Sequence, residues 1–187
     1  MDKKPLTRTF DLGDSVALRP FALKDAPLIY AAVKANYDHL RMFLHWVTPE
    51  FSKLTAKEFV RRTQANARDL TGGSWGIFSE GDLAGTIGFV KINWPSRHAE
   101  IGYWIGKGFE GRGLITRAAQ TLINHSFNDL GLHRIEIHCA KTNRRSRAVP
   151  ERLGFKREGM LRQSEWRHDR FHDMVIYGLL ADDPRVW

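Results

Sequence analysis

Four glycines fall within the eight residues Gly106-Lys107-Gly108-Phe109-Glu110-Gly111-Arg112-Gly113, and this segment separates two stretches of different periodicity. Before it, Ala99, Ile101, Tyr103 and Ile105 alternate with Glu100, Gly102 and Trp104. A period of two predicts a strand with one face toward a core. After it, Leu114, Ala118 and Leu122 form one row, and Ile115, Ala119, Ile123 and Phe127 form the next, with Gly131 closing the segment. That spacing predicts an amphipathic helix. A strand, a glycine turn and a helix start in succession place the helix's unpaired N–H groups against a turn without side-chain bulk, which suits an anion such as a pyrophosphate.

The class of phosphate ligand depends on context. Gly106, Gly108 and Gly111 match a G-x-G-x-x-G dinucleotide fingerprint literally. A dinucleotide fold, however, needs an apolar parallel strand before the turn and repeated βαβ units after it. Here the preceding strand alternates and follows about 100 residues of other pattern. No G-x-x-x-x-G-K-[ST] run occurs, which excludes a P-loop nucleotidase.

The rest of the chain alternates helices and short strands. Val16–Arg19 reads as a first strand. Asp25 and Pro27 open a helix with the stripe Leu28, Ala31, Ala32 and Ala35, and Thr55 with Glu58 forms a capping box for a second helix reaching about Leu70. Trp75–Phe78, Leu83–Asn93 and Ala99–Ile105, joined by turns at Gly81 and Pro95, predict an antiparallel meander. Arg134–Cys139 is a further strand, and Ser146–Leu153 a short helix ended by Gly154. Pro150 inside it predicts a kink, or a start late enough to put Pro150 in the first turn. Two strands near Met160–Trp166 and Phe171–Leu180 finish the chain. The order β-α-α-β-β-β-α-β-α-β-β predicts a mixed α/β sheet, in a single domain over 1–187 with its core at about 14–181.

Composition excludes several classes. No apolar run approaches the roughly 20 residues of a membrane span, and no signal-peptide pattern opens the sequence. Cys139 is the one cysteine, so no internal disulfide forms; with Ile135 and Ile137 it reads as buried packing. The expected location is cytoplasmic. The eight histidines show no metal-ligand spacing, and no metal is expected. The net charge is +8, concentrated over 141–170, where ten Lys and Arg face four acids. Such a surface attracts anionic cofactors, acidic proteins or nucleic acid. No helix-turn-helix, RNP or finger motif supports the nucleic-acid reading, which stays a remote alternative.

Four motifs occur in one order: Ala99-Glu100-Ile101-Gly102-Tyr103-Trp104-Ile105, Glu110-Gly111-Arg112-Gly113-Leu114-Ile115-Thr116, Asn143-Arg144-Arg145-Ser146, and Glu151-Arg152-Leu153-Gly154-Phe155. In these the chain resembles the GNAT acyl-CoA N-acetyltransferase superfamily, most closely its RimJ/RimL-type group, which acetylates the N-termini of proteins, ribosomal ones in particular. The resemblance runs from Val16 to Leu180 and implies a mostly antiparallel GNAT-like sheet flanked by helices. It implies acetyl-CoA as co-substrate. The strand at Tyr103, Trp104 and Ile105 would pair with the pantetheine arm. Glu110, Gly111, Arg112, Gly113 and Leu114 would hold the pyrophosphate, and Asn143 would bond the CoA arm. Ser146 would lie near the thiol, as its acid or positioning group. The family loop reads [Q/R]-x-x-G-x-[G/A], so Glu110 and Ile115 depart from it; an acid there opposes a pyrophosphate unless Arg112 offsets it.

Amide formation needs a neutral amine. An α-amine titrates near ~7.7–8.0 and is about one tenth neutral at pH 7, against about 0.04% for a lysine. An N-terminal amine therefore asks little of a base, and one carboxylate suffices. The resemblance implies Glu165 as first candidate base, with Glu100 second. Tyr177 is a further candidate acid, though its last-strand position reads as core. Tyr37, Phe43, Trp46 and Phe51 form an aromatic cluster that serves as core or as a wall of the acceptor pocket. The expected acceptor is the N-terminus of an acidic, ribosomal protein; a small-molecule amine is the alternative. A second copy of the chain in a homodimer completes the expected partners.

Overall fold

The alternation at the start of the chain builds one edge of a sheet. In the computed structural model, which describes residues 6–185 and 187, Phe10–Asp11 (β1) pairs with Val16–Pro20 (β2). Three antiparallel strands follow: Gly73–Ser79 (β3), Asp82–Asn93 (β4) and His98–Ile105 (β5). This is the expected meander. Arg134–Ala140 (β6) then lies parallel to β5, and the hairpin Lys156–Arg167 (β7) and Arg170–Leu180 (β8) closes the sheet. The eight strands run in the order β1-β2-β3-β4-β5-β6-β8-β7, with β5·β6 as the parallel pair.

The helices divide between the two faces. Ala26–Ala35 (α1), Tyr37–Arg41 (α2) and Lys53–Arg68 (α3) cover β2 to β5 from one side, in a core that includes Ile29, Val33, Phe51, Val60, Leu83 and Trp104. Leu114–Asn124 (α4) and Arg144–Arg152 (α5) cover the opposite side, where Leu122, Ile123, Ile135, Ile137, Val149 and Tyr177 meet. On α4 both expected rows are buried up to Ile123.

Three expectations are corrected. The buried stripe of α1 is Ala26, Ile29 and Val33, while Leu28 stays 46% exposed. The stripe is turned round the helix, so the branched Ile29 and Val33 take the core with Ala26, while Ala31 and Ala35 face outward. Asp25 precedes α1 without capping it; its carboxylate accepts from Ala22 N–H at 2.7 Å and pairs with Arg19 at 2.8 and 3.0 Å. The capping box of α3 is Ser52 with Thr55, one turn before the expected Thr55 and Glu58: Ser52 Oγ accepts from Thr55 N–H at 3.2 Å, and Thr55 Oγ1 from Ser52 N–H at 3.4 Å. The short helix α2 had no periodic signal in the sequence. Among the described residues no helix is long and apolar enough to cross a membrane.

Candidate active site

β5 and β6 begin as partners and then separate. Their register runs His98↔Arg134, Ala99↔Ile135 and Glu100↔Glu136, and stops there. Beyond it β5 stays bonded to β4 as far as Ile105, and β6 to β8 as far as Ala140. The far ends of the two strands thus diverge, and β5 presents a backbone edge without a strand beside it from Ile101 to Ile105. Backbone groups on such an edge are satisfied by a ligand, another chain or water. A cavity of about 960 Å³ fills the gap, lined by Tyr103–Ile105, the glycine turn, the first turn of α4, and Asn143, Ser146 and Val149 of α5.

The turn has the backbone expected of an anion cradle. Gly111 and Gly113 adopt φ of +76° and +72°, and a Cβ on either would meet nothing within 4 Å, so the space above them is open. Gly113 is the N-cap of α4, which directs that helix's free N–H groups into the cavity. These features, with the free edge of β5, fit a phosphate-bearing extended ligand such as the CoA arm.

Glu110 does not meet Arg112, as the sequence suggested. Arg112 lies over the Phe109 ring at 5.3 Å. The Glu110 carboxylate is bound by Arg145 of α5 and lies 3.5 Å from His39 Nε2 of α2. The acid therefore links the turn to both walls of the cavity, and its charge is met by Arg145. Ile115 packs into the core below α4.

On α5, the N-cap is Asn143, whose Oδ1 accepts from Ser146 N–H at 3.0 Å. Ser146 is thus inside the helix, with its hydroxyl 3.2 Å from Cys139 Sγ and 3.4 Å from the Tyr103 hydroxyl. Pro150 is neither an N-terminal residue nor an idle defect. It has no N–H to give to the carbonyl four residues earlier, that of Ser146. That carbonyl instead accepts the Tyr103 hydroxyl at 2.9 Å. Burial pushes the Tyr103 hydroxyl well above its usual pKa and also raises the Cys139 thiol. Cys139 is buried, as its alternation predicted.

Tyr177 lies elsewhere. Its hydroxyl donates to Glu151 at 2.6 Å and accepts from Arg147 Nε at 3.0 Å, and its ring is in the core. Tyr103 is the tyrosine that lines the cavity, with its buried hydroxyl on the Ser146 carbonyl; the motif resemblance implied a role for its backbone alone. Its alternation with Ile101 toward the α4 side, and the four-residue step from Ser146 to Pro150, were the signals that could have found it.

The two carboxylates occupy the other face of the sheet. Side chains alternate along a strand, so Glu100 points away from Tyr103. It lies 3.8 Å from His138 Nδ1 at the point where β5 and β6 part. His138 Nε2 is 2.8 Å from Glu136, whose carboxylate also receives Arg134. Burial opposes ionisation of Glu136, but the bonds from Arg134 and His138 outweigh it and hold its pKa below the usual range. Glu165 sits opposite His172 in the β7·β8 hairpin, after an irregularity between Leu161 and Glu165 in which Gln163 takes φ +52°. Its oxygens lie 3.6 Å from His45 Nδ1 and 3.7 Å from Arg167. Glu100 stands where β5 and β6 part, Glu165 on β7 beyond β8, and neither lines the cavity. Of the aromatic cluster, Phe51 is core, Tyr37 packs against it, Trp46 stands between Phe51 and Trp104, and Phe43 lines the cavity.

The comparisons agree with this geometry. Residues 15–156 match the family described as an acetyltransferase (GNAT) domain. YdaF of Bacillus subtilis (strain 168) is 37% identical over 183 residues, which are 96% of this chain and 97% of its own. The ribosomal-protein-serine acetyltransferase of Escherichia coli (strain K12) is 33% identical over 181 residues, 95% and 99% of the two chains. A structure of RimL, a ribosomal L7/L12 α-N-protein acetyltransferase in complex with coenzyme A, superposes with a TM-score of 0.90 at 25% identity, over 95% of this chain and 100% of its own. The chain belongs to the GNAT acetyltransferase family, and the protein is an N-acetyltransferase.

Proposed function

We propose that the protein transfers the acetyl group of acetyl-CoA to the N-terminal α-amine of a protein, by direct attack and without an acyl-enzyme. The observation that carries this reading is the breach between β5 and β6, with the glycine turn, Tyr103 and Ser146 lining its cavity and Glu100 on the opposite face where the strands part. Donor and acceptor can enter from opposite sides and meet between the strands. Bound acetyl-CoA supplies a thioester whose thiol, with a pKa of about 8.5, leaves readily. Gly111, Gly113 and the start of α4 receive the pyrophosphate, with Arg112 and Leu114 beside it. The free edge at Tyr103–Ile105 pairs with the pantetheine arm, and a backbone N–H of the strand around Trp104–Ile105 stabilises the oxyanion. The Ser146 hydroxyl assists the departing thiolate. Glu165 takes the amine proton, directly or through water; Glu100 is the second candidate.

The acceptor class is supported by the three relatives reported above, each named as a ribosomal acetyltransferase. The basic segment 141–170 suits an acidic acceptor protein. A small-molecule amine, such as a polyamine, is the alternative. We place the whole chain in one acetyltransferase domain, cytoplasmic, with a homodimer as its assembly. The test is direct: incubate the protein with labelled acetyl-CoA and a cell extract, and identify the acetylated species by mass spectrometry. Label on protein N-termini supports the reading; label confined to small amines or lysine side chains overturns it.

A further inference from the structure

Arg167, the last residue of β7, is sealed into the protein with its hydrogen-bond donors unused. Its side chain is 1% exposed, and Nε and both terminal nitrogens have no hydrogen-bond partner. The nearest carboxylate is Glu165, 3.7 Å from Oε2 to the guanidinium, which is beyond hydrogen-bond reach. Oε2 of Glu165 is itself buried and without a partner. Burial lowers the pKa of Arg167, yet a guanidinium stays charged in a protein. A buried cation with all its donors unused, beside a partly buried carboxylate with one orphaned oxygen, is costly to maintain without a function. Arg170 opposite it across the hairpin adds a second positive charge.

The pair lies behind Phe43, a residue of the cavity wall. The Phe43 ring, 5.8 Å from the guanidinium, covers it. Phe43 also lines the main cavity and a second hollow of about 380 Å³ bordered by Met42, His168, Arg170 and His172. One aromatic side chain thus stands between both hollows and the buried charges.

We propose that Glu165 and Arg167 form a clamp for an α-aminoacyl terminus, with the amine on Glu165 and the carbonyl oxygen of the first residue on Arg167, once Phe43 turns aside. In an α-aminoacyl group the nitrogen and the carbonyl oxygen are held about 3 Å apart by covalent geometry. That spacing bridges a donor and an acceptor 3.7 Å apart and fills the valences that each leaves open. An amine on an alkyl chain, as in a polyamine, satisfies Glu165 alone. Arg167 is then a specificity-determining residue that separates protein N-termini from other amines. The inference rests on the reading of an N-terminal acceptor given above.

The experiment compares two acceptors at saturating acetyl-CoA: a neutral tripeptide amide, and the alkylamine in which its first carbonyl is replaced by methylene. The unmodified protein should prefer the peptide. In Arg167→Met, kcat/KM for the peptide should fall roughly 10- to 100-fold, the loss expected for hydrogen bonds to a charged group. For the alkylamine it should fall no more than about threefold. Arg167→Lys should recover part of the peptide rate, and acetyl-CoA affinity by calorimetry reports whether each variant is folded. If Arg167→Met does not fold, a preference for the peptide that Arg167→Lys leaves undiminished overturns the clamp. Equal losses for both acceptors, or none, also overturn it. If the unmodified protein shows no preference for the peptide, the N-terminal reading itself fails, a result distinct from an intact preference that ignores Arg167.

Discussion

A carboxylate is identified as a base by what it touches when the amine arrives, and Glu165 and Glu100 differ in their neighbours. Glu165 has an orphaned oxygen and is 21% exposed, whereas Glu100 shares His138 with Glu136. Glu165→Gln should therefore lower kcat by roughly 100-fold, within the range of a lost general base, and leave acetyl-CoA affinity unchanged. Retention of the parent rate across pH 6–8 would move the role to Glu100, and Glu100→Gln would then carry the loss. A second residue-scale effect concerns acid stability. Because Arg134 and His138 hold the folded pKa of Glu136 below its ordinary 4.5, its stabilisation is complete above that value and is lost as pH falls through the folded pKa. Glu136→Gln should destabilise the protein by about 1–3 kcal/mol near neutral pH. In thermal melts the gap to the parent should narrow below about pH 4. A constant gap would show that the ionised form is not what matters.

At the scale of elements, α5 is a helix whose irregularity has a consequence. Pro150 is the seventh of its nine residues, and it frees the Ser146 carbonyl for Tyr103. Pro150→Ala returns an N–H that competes for that carbonyl. We expect the variant's stability to rise, since an interior proline costs up to about 3 kcal/mol, while kcat falls several-fold as Tyr103 and Ser146 lose their arrangement. Unchanged kcat in a more stable protein would make Pro150 merely tolerated. The glycine turn is tested by Gly113→Val. The Cβ itself meets no protein atom, so the stability cost is that of the left-handed backbone, roughly 1–2 kcal/mol. Acetyl-CoA affinity should drop at least tenfold because the side chain enters the space left for the phosphates; an unaltered calorimetric affinity would remove that site.

The whole molecule carries a net +8, and its basic stretch is less naked than the sequence suggested. Lys141, Arg145, Arg147, Lys156 and Arg167 stand in ion pairs with Asp173, Glu110, Glu151, Asp183 and Glu165. Arg152 ties α5 to Thr116 at the start of α4 at 2.9 Å. Part of the excess therefore fastens the donor side of the cavity, and the remainder is available for steering. For an acidic protein acceptor, kcat/KM at saturating acetyl-CoA should fall as salt rises past about 0.1 M, where the Debye length is about 10 Å. For a short neutral peptide with the same N-terminus it should change much less. Equal slopes would show that the basic face does not capture the acceptor.

Local rules were enough to order the elements. The alternation of Ala99–Ile105, the four-residue rows after Gly113 and the turns at Gly81 and Pro95 each depend on neighbours in sequence, and the strands, α4 and the glycine turn lie where these rules put them. The wall of the cavity built from the glycine turn and its neighbours was legible for the same reason: its motifs are contiguous. Other features depend on partners distant in the chain. Leu28 lost the core to Ile29 and Val33 because packing against α3 and β4, not spacing alone, chose the face. Arg145 rather than Arg112 answers Glu110 because α5 folds across the turn. The hydroxyl of Tyr103 gained its acceptor from a proline 47 residues later. The burial of Arg167 beside Glu165 arises only when the β7·β8 hairpin closes against Phe43. Sequence spacing fixes what a residue can do within its own turn or strand; the three-dimensional packing decides which charge, hydroxyl or ring it meets.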